Sequence, residues 1–563
     1  MTRNDRHVLG LLLLIAMALV VAPVFAQELP RTFQEQNDFK AGPTPFRPLM
    51  EFWYELARLR PEVSVRPLTS TLLDRELTLV VVSKDGIVTP QDAIRSGKTI
   101  VLIANSVHGG ETAGKEAAQL VARDLVAGSL RPLLDDVIVL IVPLLNPDGG
   151  EVRRRTNEEG FDLNRDYVKL ESQEVQALVA QVLNEWTPDI HIDSHHGGSV
   201  PYTITWQGTL NPSADAELRA FPYAHIFPRI RQALRAEDYD GFDYSGARDF
   251  DGVPGWGSTS VEARKHHVYT GLVNIIGILL ETPGNTRRLR ANGTKLEEVP
   301  QDERYFHQVR GQYIAQSTII RVAAERRQDI RALTTASRMR AIRNGATFNA
   351  DDRVVLEYKL VSRGREQVWV PDKEAPLGYK TDVRDVFLKY EPTKTTPRPL
   401  GYVLPPSMAK VLPLLLDHGI VVHRFARPEK IELEVYYATG VQRREYFQGH
   451  DLKAVVAEKA TEIVEVPAGS YWISAAQSRG NLIAYLMEPE TDDNLITWGF
   501  ADHLIRVPGV SSTGGAPQAA ALTAAQARRQ RVPMMRVVRE QPLATLEVVP
   551  FNQYNRTRYY QVW

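Results

Sequence analysis

The chain is 563 residues long, too long for a single hydrophobic core, and its length points to two or three domains. Its 67 basic and 68 acidic side chains nearly cancel, which argues against a polyanionic partner such as nucleic acid. It contains no cysteine. Disulfides, a lipid-bearing N-terminal cysteine and thiolate metal ligands are therefore excluded, and any zinc site must use histidines and carboxylates.

Residues 1–26 have the layout of a secretory signal. Arg3 and Arg6 give a basic start, VLGLLLLIAMALVVA is the apolar stretch, and VFA ending at Ala26 offers small residues for cleavage. The rival reading is a retained membrane anchor, because the apolar run is close to the shortest spanning length. The short run and the small-residue site favour cleavage. The mature chain is thus expected to be exported, periplasmic or extracellular, without a stable membrane span.

From Glu76 to about Glu281 apolar runs alternate with helical patterns. LTLVVVS, TIVLIAN, DVIVLIVP, DIHID and IIGILLE read as largely buried strands. GKEAAQLVARDLVAG and ESQEVQALVAQVLNEW carry apolar residues at helical spacing. This alternation predicts an α/β sheet with helices on its faces. A helical stretch from roughly Asp302 to Ile342 closes the domain, expected to span 27–345. From about Asn349 short β-like runs such as RVVLEYKLV, EQVWVP and IELEVYYA predict a smaller β-rich domain over 346–508. Residues 509–563, with SSTGGAPQAAALTAAQA from Ser511, read as a low-complexity linker and tail.

Four of these strands end in residues capable of chemistry. TIVLIAN runs into SVHGGE, and DVIVLIVP runs into LLNPDGGEVRRRTNEEGFDLNRDY. DIHID is followed by SHHGGS, and NIIGILL by Glu281 in ETPG. Alone, HGGE is a weak signal, since a His and a Glu three apart can cap an ordinary turn. Ligands in open α/β sheets bind at the carboxyl ends of the strands, however, so these four ends can converge on one crevice. Two histidines and one carboxylate with an open fourth position make a catalytic zinc arrangement. The arginines of the second loop offer forked donors suited to a carboxylate or an oxyanion.

HGGE, NPDG, GFDLNRDY, the later histidine and the strand-ending Glu281 resemble, in order and spacing, the zinc carboxypeptidase A family, over roughly Pro45 to Arg290. The resemblance implies a mixed, largely parallel sheet flanked by helices. It also implies one zinc ion on His108, Glu111 and His195. His191 and His196 compete for the third place, but His191 lies inside its strand and His196 points to the opposite side of an extended backbone from His195. Glu281 matches the family's general base, Arg155 the arginine that stabilises the oxyanion, and Asn164 with Arg165 the pair that recognises a terminal carboxylate. Two departures stand out. Asp166 replaces the usual Asn after LNR and adds negative charge near that pair, and Tyr269, in HHVYTGL, is only the nearest match to the active-site tyrosine.

The resulting expectation is an exported zinc metallocarboxypeptidase acting on peptides with a free C-terminal carboxylate. Its rivals are a zinc amidase or deacylase, a cell-wall peptide-trimming enzyme, and an inactive exported binding protein. VEVPAGSYWISA and YLMEPETDDNLITWGF resemble segments that follow the catalytic domain in large bacterial members, here read as a β-rich accessory module whose aromatic residues are core. The long connection ITWQGTLNPSADAELRAFPYAHIF is a candidate for shielding or extending the site.

Overall fold

A computed structural model describes residues 28–284, 286–505, 520–521, 530–543 and 546–551. The candidate signal at 1–26 lies outside the described residues, as does most of the low-complexity stretch after Ser511.

The first part of the chain supplies β1 (Val63–Ser70), β2 (Glu76–Val82), β3 (Thr99–Asn105), β4 (Val137–Val142) and β5 (Ile190–His196). It continues with β6 (Ile204–Gly208), β7 (Gly241–Asp243), β8 (Gly246–Phe250), β9 (Val253–Gly257) and β10 (Ile276–Thr282). Eight of them form one sheet in the order β1-β2-β4-β3-β5-β10-β6-β7. Its centre, β4-β3-β5-β10, is parallel, while β1 and β2 on one side and β6 on the other run antiparallel to their inner neighbours. The sheet is mixed, with helices packed on it.

The central strands are apolar at nearly every position because both faces are covered. Alternate residues go to opposite sides. Val101, Ile103, Val139 and Ile141 join a core with Leu125 of the helix Ala113–Ala127 and Ile314 and Ile319 of the helix Arg304–Glu325. Ile100, Leu102, Ile138 and Leu140 join a different core, shared with Tyr402, Leu415, Leu486 and Trp498. The second face of the catalytic sheet therefore belongs to a core in which Val175, Leu178 and Val182 are joined by residues from beyond position 346, so this core runs across the expected boundary.

The helical stretch near 302–342 is two helices, Arg304–Glu325 and Arg327–Ala346, broken at Arg326, where φ is −111° and ψ is 27°. A two-stranded ribbon, β11 (Arg287–Arg290) with β12 (Lys295–Glu298), precedes them. The expected short β-runs are instead two long hairpins, β13 (Arg353–Pro371) with β14 (Tyr379–Pro397), and, after β15 (Gly401–Leu404) and β16 (His423–Phe425), β17 (Glu429–Phe447) with β18 (His450–Val466). β14 also pairs in parallel with β9, giving a sheet β13-β14-β9-β8.

β19 (Tyr471–Ser474), β20 (Ala520–Ala521), β21 (Met535–Val537) and β22 (Leu546–Val548) complete the chain. β21 lies between β17 and β15, and β22 beside β16. The segment expected to be a tail thus contributes strands to this second sheet, a correction caused by pairing with partners about 100 residues away, which local composition does not reveal. No helix among the described residues is long and apolar enough to cross a membrane.

Candidate active site

The loop after β3 is built by close backbone approach. A Cβ on Gly109 would lie 2.1 Å from the carbonyl carbon of Gly149, so the HGG turn and the NPDGG turn can only meet with glycine there. The Asn146 side chain closes the second turn by accepting the Gly149 N–H at 2.9 Å. This contact fixes His108 and Glu111 beside the loop that carries Arg155, Asp162 and Asn164.

One oxygen of Glu111 lies 2.9 Å from Nδ1 of His108, and the other lies 2.7 Å from Nδ1 of His195. Ligand atoms of these three residues all fall within 4.8 Å of one another. The outer nitrogens are held from behind, Nε2 of His108 at 3.0 Å from Asp162 Oδ1 and Nε2 of His195 at 3.0 Å from Asp193 Oδ1. A histidine whose distal N–H faces a carboxylate presents its other nitrogen to a metal, with the ring orientation fixed. The donor set fits zinc: two Nδ1 atoms, one carboxylate and an open side. Burial alone would raise Glu111, but His195 and His108 hold it well below the usual carboxylate range. Asp162 is likewise held low against burial, by His108 and then by Arg165 and Arg155.

The competing histidines have other partners. His191 is fully buried, and its ring lies 3.9 Å from that of His266. His196 turns to the N-terminus of the helix Ala113–Ala127, where its Nε2 accepts the Ala113 N–H at 2.6 Å.

Glu281 sits on β10 directly opposite His195 of β5 in the parallel register. It faces a cavity of about 260 Å³ lined also by His108, Glu111, Arg155, Asn164, Arg165 and His195. Its Oε2 is buried without a hydrogen-bond partner. Burial pushes its carboxyl up to about 8, with His195 opposing and Glu111 adding to the shift. A dication held by the neighbouring triad would pull it down again. Gly197 leaves room for this carboxylate, because a Cβ there would come within 2.6 Å of Oε2.

Arg155 is half exposed, 2.9 Å from Asp162 and 3.7 Å from Glu111. The Asn164 amide nitrogen lies 3.2 Å from His195 Nε2, while its oxygen accepts the His266 N–H at 2.8 Å. Arg165 donates to the Asn164 carbonyl at 2.7 Å.

Both departures resolve. Asp166 is fully buried and does not line the cavity; it binds Lys169 at 2.7 Å and the Ser172 hydroxyl at 2.7 Å, so it does not add charge beside the carboxylate-recognising pair. Tyr269 is a correction: it is fully buried in the core, with its hydroxyl 2.8 Å from His418 Nδ1, because the helix His266–Leu272 packs inward ahead of β10. The tyrosine in the cavity wall is Tyr244, pushed up to about 12 by burial and then by Glu281. The connection 204–227 does not line the cavity either. The outer wall comes from residues 244–260, on and around the β8–β9 hairpin that β14 fastens.

The sequence reading also missed Gln448. At the tip of the β17–β18 hairpin, with φ at 49°, it accepts the Asp162 N–H at 3.0 Å through its side-chain oxygen. Beside it Phe447 packs on Arg264, which Asp493 holds at 2.9 Å. The C-terminal half therefore touches the backbone of Asp162, whose carboxylate orients His108.

Residues 49–222 match the family model described as zinc carboxypeptidase. The chain carries a zinc carboxypeptidase domain. It is a hydrolase of the metallocarboxypeptidase class. Carboxypeptidase 2 of Trichophyton rubrum is 23% identical over 435 residues, covering 72% of this chain and 74% of that protein. Carboxypeptidase SOL1 of Arabidopsis thaliana is 30% identical over 122 residues, covering 18% of this chain and 24% of that protein. Among solved structures, the putative carboxypeptidase A of Shewanella denitrificans is similar at 24% identity with a TM-score of 0.37, covering 49% of this chain and 70% of that one.

Proposed function

We propose that this enzyme is exported and removes the C-terminal residue from peptides, with one zinc ion held by His108, Glu111 and His195. The observation that carries the reading is the β5–β10 register, which sets Glu281 opposite His195 in the same cavity as the other donors. The layout of residues 1–26 supports export. Sequencing the N-terminus of the secreted protein should find it starting near Gln27, and an intact Met1 would refute cleavage.

Bound in this triad, zinc supplies Lewis acidity and a water of lowered pKa. The chain's own groups do the rest. Glu281 accepts a proton from the attacking water through its unpartnered oxygen and returns it to the leaving nitrogen. Arg155 presents its guanidinium beside His108 Nδ1, where charge develops on the scissile carbonyl oxygen. Arg165 spends one N–H on the Asn164 carbonyl and keeps further donors for a terminal carboxylate, and Asn164 beside it is fixed through its side-chain oxygen by the His266 N–H. Tyr244 lines the same cavity. An amidase or deacylase would use the same metal and base but would not need Arg165.

The test compares a peptide with its C-terminally amidated twin. The free acid should be cleaved at least ~100-fold faster, and Arg165→Ala should remove most of that preference. Equal turnover of the two substrates by the wild type would overturn the carboxypeptidase reading in favour of the amidase. Zinc analysis of a His108→Ala, His195→Ala double variant checks the metal assignment, and undiminished zinc would refute it.

A further inference from the structure

The reading above uses one cation for the substrate's chain end, yet the cavity holds more positive charge than that role requires. Arg155, Arg165, Arg248 and Lys265 line it against Glu111 and Glu281. Glu111 belongs to the metal triad, and a bound dication would make the cavity still more positive. Arg155 is matched by Asp162 at 2.9 Å, and Lys265 by Glu262 at 2.7 Å. Arg165 and Arg248 have no carboxylate partner among the described residues. If Arg165 takes the terminal carboxylate, Arg248 still faces the cavity unmatched, and the single anion of Lys265, Glu262, also acts on Arg165.

These cations are close enough to oppose one another. Burial and then Arg155 and Arg264 hold Arg165 below its ordinary value despite Asp162 and Glu262, and Lys265 is lowered by burial and by Arg165 despite Glu262. The walls around them are polar: Ser245, Ser258, Thr259 and Ser260 face the cavity, with Leu279 and Tyr244 as its large apolar surfaces. A pocket for an aliphatic or aromatic side chain would be lined the other way round. A pocket for a basic side chain would carry unpaired carboxylates beyond the metal and base pair, and the lining shows none.

We infer that the enzyme prefers peptides ending in a dicarboxylic residue, Glu or Asp, with Arg248 and Lys265 receiving the side-chain carboxylate while Arg165 receives the chain end. The inference rests on the carboxypeptidase reading and extends it to a substrate class. Arg248 stands at the rim on β8, its guanidinium over the Phe250 ring at 4.8 Å, which positions the cation without neutralising it. Because the cations near the entrance are exposed, part of the preference arises from long-range attraction and fades with salt.

The test uses the full zinc-loaded chain and three peptides identical except for a last residue of Glu, Gln or Lys. Gln keeps the length of Glu and its terminal carboxylate, so the Glu-to-Gln ratio of kcat/KM isolates the second anion. The expected ratio is about 10 or more, the worth of one charge-assisted hydrogen bond, with Lys slowest of the three. It should shrink between 50 mM and 500 mM salt. Arg248→Gln and Lys265→Met should each lower the ratio at least ~3-fold, whatever they do to overall turnover, and Lys265→Arg should keep it. A ratio near one, a Lys-ending peptide cleaved faster than the Glu-ending one, or a ratio that neither variant changes would each overturn the inference while leaving the carboxypeptidase reading standing. Failure to cleave any of the three would refute that reading, and this inference with it.

Discussion

The contact between Gly197 and Glu281 gives a test of the base that leaves the carboxylate in place. A Cβ on residue 197 would lie 2.6 Å from Glu281 Oε2 and 3.3 Å from its carboxyl carbon, whereas ordinary contact begins at 3.4 Å. In Gly197→Ala the carboxylate must retreat by about 0.8 Å, taking the spacing of van der Waals contact as the limit. The backbone at Gly197 is not left-handed, so alanine fits it, and the clash falls on the end of a side chain instead of on the fold. A misplacement of about 1 Å at a reacting group costs up to ~10²-fold, so kcat should fall about 10- to 100-fold. Zinc content and thermal midpoint should stay near wild type. Pairing the change with Glu281→Asp, which shortens the side chain by one methylene, should give a double variant less impaired than the product of the two single effects. The assay is steady-state kcat, zinc content and melting temperature on the same preparations. A zinc-loaded Gly197→Ala enzyme with wild-type kcat would show that this carboxylate is not the base.

Three further outcomes follow from groups outside the chemistry. Burial pushes Glu174 up to about 7 from an ordinary 4.5, so between those values the folded chain keeps a proton the unfolded chain has lost, and stability falls as pH rises. The penalty is complete above pH 7 at on the order of 3 kcal/mol, so Glu174→Gln should gain melting temperature over wild type from pH 5 to pH 8; a pH-independent gap would refute this. Gln448→Ala removes the acceptor of the Asp162 N–H and should weaken zinc binding roughly 3- to 10-fold in chelator competition, a smaller effect than losing a direct partner of a ligand; unchanged affinity would mean the hairpin does not reach the metal ligands. Tyr269→Phe should cost about 1 kcal/mol of stability with kcat intact, while Tyr244→Phe should lower kcat/KM at constant melting temperature; the reverse pattern would restore Tyr269 to the site.

How much of this was legible in the sequence follows from distance along the chain. His108, Glu111, His195 and Glu281 were readable because each lies at or just beyond the end of a buried strand, and parallel strands of one sheet deliver their carboxyl ends to the same edge. The period of two places His195 and His196 on opposite sides, and in the structure one ring faces Glu111 and the other the Ala113 amide. Tyr244 was not readable. It sits just after a three-residue strand, and the wall that follows it is fixed by β9 pairing with residues 385–387 of β14, some 130 positions later. No local pattern announces such a pairing. Tyr269 was misjudged for a related reason, since its spacing to β10 fits the family while its own short helix turns it into the core.

One core runs across position 345 for a physical reason that also bears on function. Strand runs such as TIVLIAN and VIVLIV are apolar on both faces, and a sheet of that kind needs cover on both. The first 345 residues bring Leu125, Ile314 and Ile319 to one face, and the core on the other continues from Leu178 and Val182 to Tyr402, Leu415 and Leu486. Once those residues are docked, the hairpin that follows them is held where Gln448 meets Asp162, and Asp493 is held where it meets Arg264, next to Lys265 of the cavity. The same burial that completes the core therefore sets the back of one metal ligand and one wall of the substrate cavity. A module added only for binding elsewhere would not need contacts at either place. In this chain the C-terminal half is part of how the active site is held, and the order of the sheet makes it so.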